Sequence, residues 1–159
     1  MKRLIALLTC SAMLSTTIGC NPGPGPAPPT TADSKDHGHD HTAPHGGTLT
    51  DWGGGKYHVE FTVDHDKKEA TVYIIGSDAK SPQPIKASSV HLVINDPMTE
   101  IDLVAKPLEG EAEGTSSRFV GTHETIGIVK EFAGTISGQV DGTPYTGDFR
   151  EEPHGHDKK

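Results

Sequence analysis

Cysteine is almost absent from this 159-residue chain, which contains only Cys10 and Cys20. Long apolar runs are scarce as well, and the stretch from Leu4 to Leu14 is too short to cross a bilayer. That stretch follows two basic residues and leads through small residues to residue 19, an order that predicts a secretory signal peptide over residues 1–19. Because Cys10 would leave with the signal, the exported chain would have no disulfide and would depend on its core for stability.

The end of the signal resembles the processing site of bacterial lipoproteins. Thr17-Ile18-Gly19-Cys20 is similar to a lipobox, where the signal is cut before the cysteine and the new N-terminal cysteine is acylated, for example with palmitate. The resemblance implies that Cys20 is lipidated and anchors the chain to a membrane, facing the periplasm. Asn21 is not the Asp that retains lipoproteins at the inner membrane, which favours the outer membrane. A cut elsewhere, with Cys20 left as a free thiol, is the alternative.

Residues 20–42 lack apolar periodicity. Six of the first eight residues after Cys20 are proline or glycine, a composition that does not pack and predicts an extended tether. At about 3 Å per residue, such a tether would lift the following residues clear of the lipid surface. The C-terminal tail, residues 152–159, is also polar, and we predict that both ends of the chain are disordered.

Positive charge is in short supply. Removing residues 1–19 takes away two basic residues and no acidic one, so the formal net charge falls from −8 to −10. This charge argues against binding to nucleic acid and against adsorption on anionic lipid. It favours the attraction of cations, although an acidic surface also serves solubility.

Apolar residues return in residues 43–151, which are long enough for one compact domain. Their period is two rather than 3.6, and Asp141-Gly142 is a dipeptide typical of a type I′ hairpin. We therefore predict an all-β domain, a small sandwich-like fold or an open barrel of seven to nine short strands, with the sandwich favoured. The strand candidates are Lys56–Val63, Ala70–Ile75, Ser89–Ile94, Glu100–Ala105, Ala133–Val140 and Thr143–Phe149.

Histidine is abundant beside this domain. Imidazole is a common ligand for transition metals, and Gly38 would let the backbone bend around one ion. We predict binding of a divalent transition metal (Zn, Cu, Ni or Co), with a solvated polar linker as the alternative. The H-G-H pattern recurs at the C-terminus, where a frayed soluble end is the alternative. The predicted ligands in these two segments are His37, His39, His41, His45, His154 and His156.

A second set of donors is predicted to be preorganised by the fold. His58 and Glu60 are two residues apart on a predicted strand, so they project from the same face at a Cα separation of about 6 to 7 Å. Gly46-Gly47 would let the backbone that carries His45 turn sharply beside that strand. We predict that His45, His58 and Glu60 converge on one metal ion, with a solvated strand face as the alternative.

These motifs resemble a known family. A His-rich leader, Pro44-His45-Gly46-Gly47, a short strand, a glycine turn and then Lys56 to Phe61 are similar to the N-terminal β-domain of periplasmic adaptor subunits of heavy-metal efflux pumps. The resemblance covers residues 36–94 and implies cation handling beside an exporter, with His45 and Glu60 as site residues. The chain has no counterpart of the adaptors' helical hairpin or biotinyl-like domain, so the resemblance implies a sensing or delivery module.

Catalytic motifs are missing. The sequence has no G-x-S-x-G, no H-E-x-x-H, no P-loop and no dinucleotide fingerprint, and an acylated Cys20 leaves no thiol for catalysis. We therefore predict no enzyme activity and no catalytic residue. The predicted function is buffering or delivery of metal ions, with an efflux or envelope protein as partner. The alternatives are a non-catalytic interaction module of the cell envelope with incidental histidine tails, and a lipoprotein that binds a small molecule.

Overall fold

The computed structural model describes residues 42–151 of the chain. The predicted signal peptide, the lipidated Cys20, the tether and five of the predicted metal ligands lie outside the described residues. Those five ligands are His37, His39, His41, His154 and His156.

Eight short strands account for most of the described residues. They are β1 (Thr48–Trp52), β2 (Tyr57–Asp64), β3 (Glu69–Ile75), β4 (Ser89–Asn95), β5 (Met98–Ala105), β6 (Arg118–Thr122), β7 (Ala133–Val140) and β8 (Thr143–Arg150). The one helical segment within residues 42–151 is a 3₁₀ turn, Glu124–Gly127. Nothing in this part of the chain forms a helix with the length and hydrophobicity needed to span a membrane.

The strands form one antiparallel sheet in the order β1-β2-β3-β6-β5-β4-β7-β8. The sheet curls until its two outer strands approach each other and the barrel is nearly closed. A Cβ atom at residue 147 would lie only 2.8 Å from the carbonyl oxygen of Asp51, so β8 comes this close to β1 because Gly147 has no side chain. This confirms the predicted all-β fold, and of the two predicted architectures the open barrel is the one observed.

Successive side chains of each strand point alternately into and out of the barrel, and the inward-facing ones form the core. Trp52 is fully buried, and its Nε1–H donates to the carbonyl oxygen of Ile136 at 3.2 Å. Its ring also stacks on Tyr145, with centroids 5.9 Å apart, so one side chain joins the first strand to the last two. The other large buried side chains include Phe61, Ile74, Leu92, Ile94, Leu103, Phe119 and Phe132.

The clearest local prediction concerns the last hairpin. Asp141 has φ 49° and Gly142 has φ 80°, the positive values that a type I′ turn requires, and β7 and β8 pair across them as expected. The sequence pattern does not predict β6. It indicates β1 only through the family resemblance, which implies a short strand there without giving its bounds. Both have five residues and few apolar side chains, so their pairing depends on neighbouring strands rather than on their own pattern.

Candidate metal site at His45

The chain enters the barrel through a tight turn that carries His45. The amide of Gly46 donates to the carbonyl oxygen of Ala43 at 3.1 Å, and Gly46 has φ 77°. Gly47 then lies against β2, where a Cβ atom would come within 2.1 Å of the carbonyl oxygen of Phe61. The two glycines thus let the backbone turn and approach the strand closely, as the sequence predicts.

Glu60 lies beneath this turn, and its side chain is fully buried. Its Oε1 accepts hydrogen bonds from the backbone amides of His45, at 2.8 Å, and of Gly47, at 2.9 Å. Its Oε2 lies 2.7 Å from Nδ1 of His45. A buried carboxylate is tolerated when its oxygens are paired, and three N–H groups meet that requirement here.

The imidazole of His45 lies flat on the ring of Tyr73, with centroids 3.7 Å apart and planes inclined by 7°. Tyr73 is the residue of β3 that pairs with Glu60. Because a carboxylate only accepts, the Nδ1 that faces Glu60 carries the proton, and in the neutral ring Nε2 keeps its lone pair. Within residues 42–151, Nε2 has no hydrogen-bond partner, and 38% of the side chain is exposed. Nε2 is therefore the free polar atom of an otherwise fixed ring.

His58 lies on the same face of β2 but has a different carboxylate. Its Nδ1 is 2.7 Å from Oδ1 of Asp51, the residue directly opposite on β1. Only 9% of the His58 side chain is exposed, against 59% for Asp51. The structure thus brings His45 and Glu60 together and joins His58 to Asp51, a pairing that could be found only once the register of β1 was known.

The three predicted donors are therefore divided between two separate histidine–carboxylate pairs, the second of which is completed by Asp51. Among residues 42–151, no three histidine, cysteine or acidic side chains are arranged so that they would hold one metal ion. Any ion bound at His45 would need further ligands from outside this part of the chain, from water or from a partner.

Three further histidines, which the sequence leaves without a role, have fixed rings. Nδ1 of His91 on β4 lies 2.9 Å from Oδ1 of Asp102 on β5, on the outer face of the barrel. Nδ1 of His65 lies 2.7 Å from the carbonyl oxygen of Ile126. Nδ1 of His123 accepts the amide of Thr125 at the start of the 3₁₀ turn.

The fold and the site define an all-β, barrel-like domain with a buried carboxylate–histidine pair on its outer face. No family model, no curated protein and no solved structure that was compared with the chain matches it. The chemistry of His45, Glu60 and their neighbours is therefore the basis for a functional proposal.

Proposed function

We propose that this chain is a lipid-anchored, periplasm-facing protein that binds divalent transition metal ions, namely Zn, Cu, Ni or Co. The role would be buffering or delivery beside an efflux system, as the resemblance to efflux adaptors implies. His45 Nε2 is the ligand supplied by the folded domain. The observation that carries the proposal is the 2.7 Å contact between Nδ1 of His45 and the buried Glu60.

This contact has the form that metal-binding histidines use. A ligating imidazole usually donates its second N–H to a carboxylate, a backbone carbonyl or water, which fixes the tautomer and raises the basicity of the ligating nitrogen. His45 and Glu60 already have that arrangement, and Tyr73 holds the ring from one face. Less freedom is then lost when an ion binds at Nε2.

Glu60 acts through His45 in this proposal and is not itself a ligand. All three of its hydrogen bonds are made with the turn that carries His45, and its side chain is fully buried. Direct coordination by Glu60 would break these bonds and expose the carboxylate. Glu60 is therefore a positioning residue, which revises the role that the sequence pattern favours.

The remaining ligands would come from the histidines that precede the domain. His41 is four residues before His45, so the extended chain between them spans at most about 14 Å. His39 and His37 lie two and four residues before His41, and the residues between them are Asp40 and Gly38. One fixed imidazole with several nearby ones would bind more tightly than the same histidines in a chain without a fixed member.

Calorimetric titration of the full chain in detergent with zinc, copper, nickel and cobalt chlorides tests the proposal. We expect His45→Ala to weaken binding at least about tenfold, or about 1.4 kcal/mol. The matched control is His91→Ala, which removes another histidine held by a carboxylate at Nδ1 but placed on β4. His58→Ala shows whether the second pair contributes.

Two outcomes would contradict the proposal. One is the absence of any binding tighter than millimolar in the intact chain. The other is an affinity that His45→Ala and His91→Ala change equally, because the fixed histidine would then have no special role. Loss of binding when His37, His39 and His41 are all changed to Ala, with no effect of His45→Ala, would reduce the activity to passive chelation.

The proposed anchor has its own test. Mass spectrometry of the purified chain should find an N-terminal Cys20 with attached acyl groups and no residues 1–19. Cys20→Ser should abolish acylation and leave the signal uncut or cut elsewhere. A chain that starts at another residue, with Cys20 as a free thiol, would contradict the anchor without bearing on metal binding.

One observation favours the alternative, an interaction module. Met98 and Val129 are 72% and 82% exposed, and the salt bridge between Lys130 and Asp96 joins the turn just before Met98 to the loop that carries Val129. Exposed apolar side chains of this size mark contact surfaces when they cluster. Cross-linking in the envelope that is lost with Met98→Ser and Val129→Ser, but unaffected by His45→Ala, would support this function instead.

A further inference from the structure

Two loops at one end of the barrel enclose a cleft that contains none of the residues of the His45 site. One loop, residues 76–88, joins β3 to β4, and the other, residues 106–117, joins β5 to β6. The cleft has a volume of about 580 Å³, and its apolar lining is formed by Ala87, Ala105 and Pro107. This volume falls within the range of about 300 to 1,000 Å³ that is usual for small-molecule sites.

The walls of the cleft are held in place by hydrogen bonds within and between the two loops. Ile85 and Ser116 exchange two backbone hydrogen bonds of 3.0 Å, which join the first loop to the second. The carboxylate of Glu111 accepts from the amide of Leu108 at 2.9 Å and from the amide of Ser117 at 3.1 Å, so the second loop is also tied to itself. Irregular loops of about 12 residues or more are uncommon in compact domains, and the ordered ones usually have a function. A ligand that binds between fixed walls loses less free energy to ordering them.

Two side chains of opposite charge also line the cleft, Lys86 from the first loop and Glu113 from the second. Both are exposed, and within residues 42–151 neither side chain takes part in a salt bridge or a hydrogen bond. By contrast, Lys67 and Lys130 are each paired with a carboxylate. The cleft therefore presents an ammonium and a carboxylate, from opposite loops, beside an apolar lining.

We propose that this cleft binds a small zwitterion with an apolar body, namely a hydrophobic amino acid or a short peptide with free ends. The ligand carboxylate would face Lys86, the ligand ammonium would face Glu113, and the apolar side chain would lie on the apolar lining. Charge complementarity selects this class, because a simple anion would be placed beside Glu113 and a simple cation beside Lys86. Burial of the apolar side chain supplies the hydrophobic contribution to binding. This activity goes beyond metal binding and shares no residue with it.

NMR titration of the metal-free full chain in detergent with leucine, leucyl-leucine and trileucine tests the proposal. We expect the amide signals of Ala87 and Ala105 to shift, and the three ligand lengths distinguish a free amino acid from a peptide. Lys86→Met and Glu113→Gln should each weaken binding about fivefold, since each removes one ion pair with the ligand.

Two variants outside the cleft are the matched controls. Lys80→Met changes an exposed lysine of the same loop as Lys86, and Glu131→Gln changes an exposed glutamate before β7. They alter the net charge as the cleft variants do and should leave the affinity for the ligand unchanged. His45→Ala should also leave it unchanged, and Lys86→Met should leave metal binding unchanged, so the two proposals succeed or fail separately.

Blocked ligands supply a readout that a purely structural role of either residue would not move. Leucinamide has no carboxylate, so Lys86→Met should not weaken its binding, whereas Glu113→Gln should. N-acetyl-leucine has no ammonium and should show the reverse dependence. A loss of affinity that is the same for both blocked ligands in both variants would show that the two charges do not contact the ligand.

Three further results would overturn the proposal. One is the absence of any shift of the Ala87 and Ala105 signals at millimolar concentrations of all three leucine ligands. Another is an equal loss of affinity in the cleft variants and in the two controls, because net charge alone would then account for it. The third is a set of shifts confined to the loops at the other end of the barrel, around Met98 and Val129, which would place binding on exposed apolar side chains instead.

Discussion

Nδ1 of His45 lies 2.7 Å from Oε2 of Glu60, and this contact joins the turn at the start of the domain to the middle of β2. The carboxylate is fully buried, whereas 38% of the histidine side chain is exposed. The pair is thus a polar anchor in the barrel wall whose imidazole is partly exposed. Its two properties, stability and tautomer, can be tested separately.

Replacing the carboxylate by its amide should invert the tautomer of His45. In Glu60→Gln the remaining side-chain oxygen still accepts the amides of His45 and Gly47, but an NH₂ group faces Nδ1. Nδ1 must then accept, which places the proton on Nε2 and blocks that atom as a ligand. We expect metal affinity to fall about 10-fold to 100-fold, as when the group that orients a metal-binding histidine is removed. Long-range ¹H–¹⁵N NMR of the imidazole reports the tautomer directly.

The same substitution should also lower the free energy of unfolding, by about 1 to 3 kcal/mol, because hydrogen bonds to a buried charged group are replaced by weaker ones to a neutral amide. Urea denaturation followed by circular dichroism measures this effect. Glu109→Gln changes an exposed glutamate on the loop after β5 and is the control, with an expected effect of less than about 0.5 kcal/mol.

An unchanged tautomer in Glu60→Gln would show that Glu60 does not set the protonation of His45.

Two neighbouring glycines provide a second test of the turn. A Cβ atom at residue 47 would lie 2.1 Å from the carbonyl oxygen of Phe61, whereas none of the other described atoms lies within 4 Å of a Cβ atom at residue 46. Gly46→Ala should therefore keep the contact of His45 with Glu60 and lose about 1 to 2 kcal/mol, since residue 46 has positive φ. Gly47→Ala should push the turn away from β2 and weaken metal binding as well. Equal metal affinities in the two variants would contradict this account.

Sequence periodicity predicts the inward face of β2 because Val59 and Phe61 alternate with polar residues. Both side chains are fully buried, which confirms this prediction. It does not reveal that the opposite face is covered at Glu60, since the covering residues come from an irregular turn rather than from a strand. The Gly46-Gly47 pair indicates that His45 lies near Glu60, as the structure shows. Both oxygens of Glu60 accept hydrogen bonds from N–H groups of the turn. This arrangement depends on backbone contacts, which no side-chain pattern encodes.

The pairing of His58 with Asp51 illustrates a second limit of sequence patterns. Cross-strand neighbours depend on register, and a shift of one residue moves every side chain to the other face. β1 has only two large apolar residues, Leu49 and Trp52, and of these only Trp52 is buried, so its own pattern does not fix that register. The strand is instead aligned by the burial of Trp52 against β7 and β8.

Trp52 should therefore contribute strongly to closure of the barrel. Trp52→Phe loses the 3.2 Å hydrogen bond to the carbonyl oxygen of Ile136 and leaves a cavity, and we expect the free energy of unfolding to fall by about 2 kcal/mol. Far-ultraviolet circular dichroism in urea is the measurement, because this substitution removes the only tryptophan of the chain. Tyr145→Phe, which removes only an exposed hydrogen bond with Lys56, should change the value by less than about 0.5 kcal/mol. A similar loss in both variants would mean that Trp52 has no special part in closure.

The loop after β3 should make the stability of the domain depend on pH in the acid range. Asp78 accepts hydrogen bonds from the amides of Lys80 and Ser81 and from Oγ of Ser81, and the Ser81 hydroxyl above all lowers the pKa of this carboxyl from 3.8 to about 2. Because the folded pKa is below the unfolded one, this stabilisation is fully present above pH 3.8 and is lost as pH falls towards about 2.

Comparison with Asp78→Asn isolates this contribution from that of the other carboxylates, which titrate in both chains. The variant should be less stable than the wild type at pH 6, because the NH₂ group that replaces Oδ2 of Asp78 cannot accept from the Ser81 hydroxyl. The difference should shrink as pH is lowered from about 4 to about 2, where the wild-type carboxyl becomes protonated. Urea denaturation at pH 6, 4, 3 and 2 gives the four values needed. A difference that stays constant over this range would show that the hydrogen bonds of Asp78 do not favour its charged form.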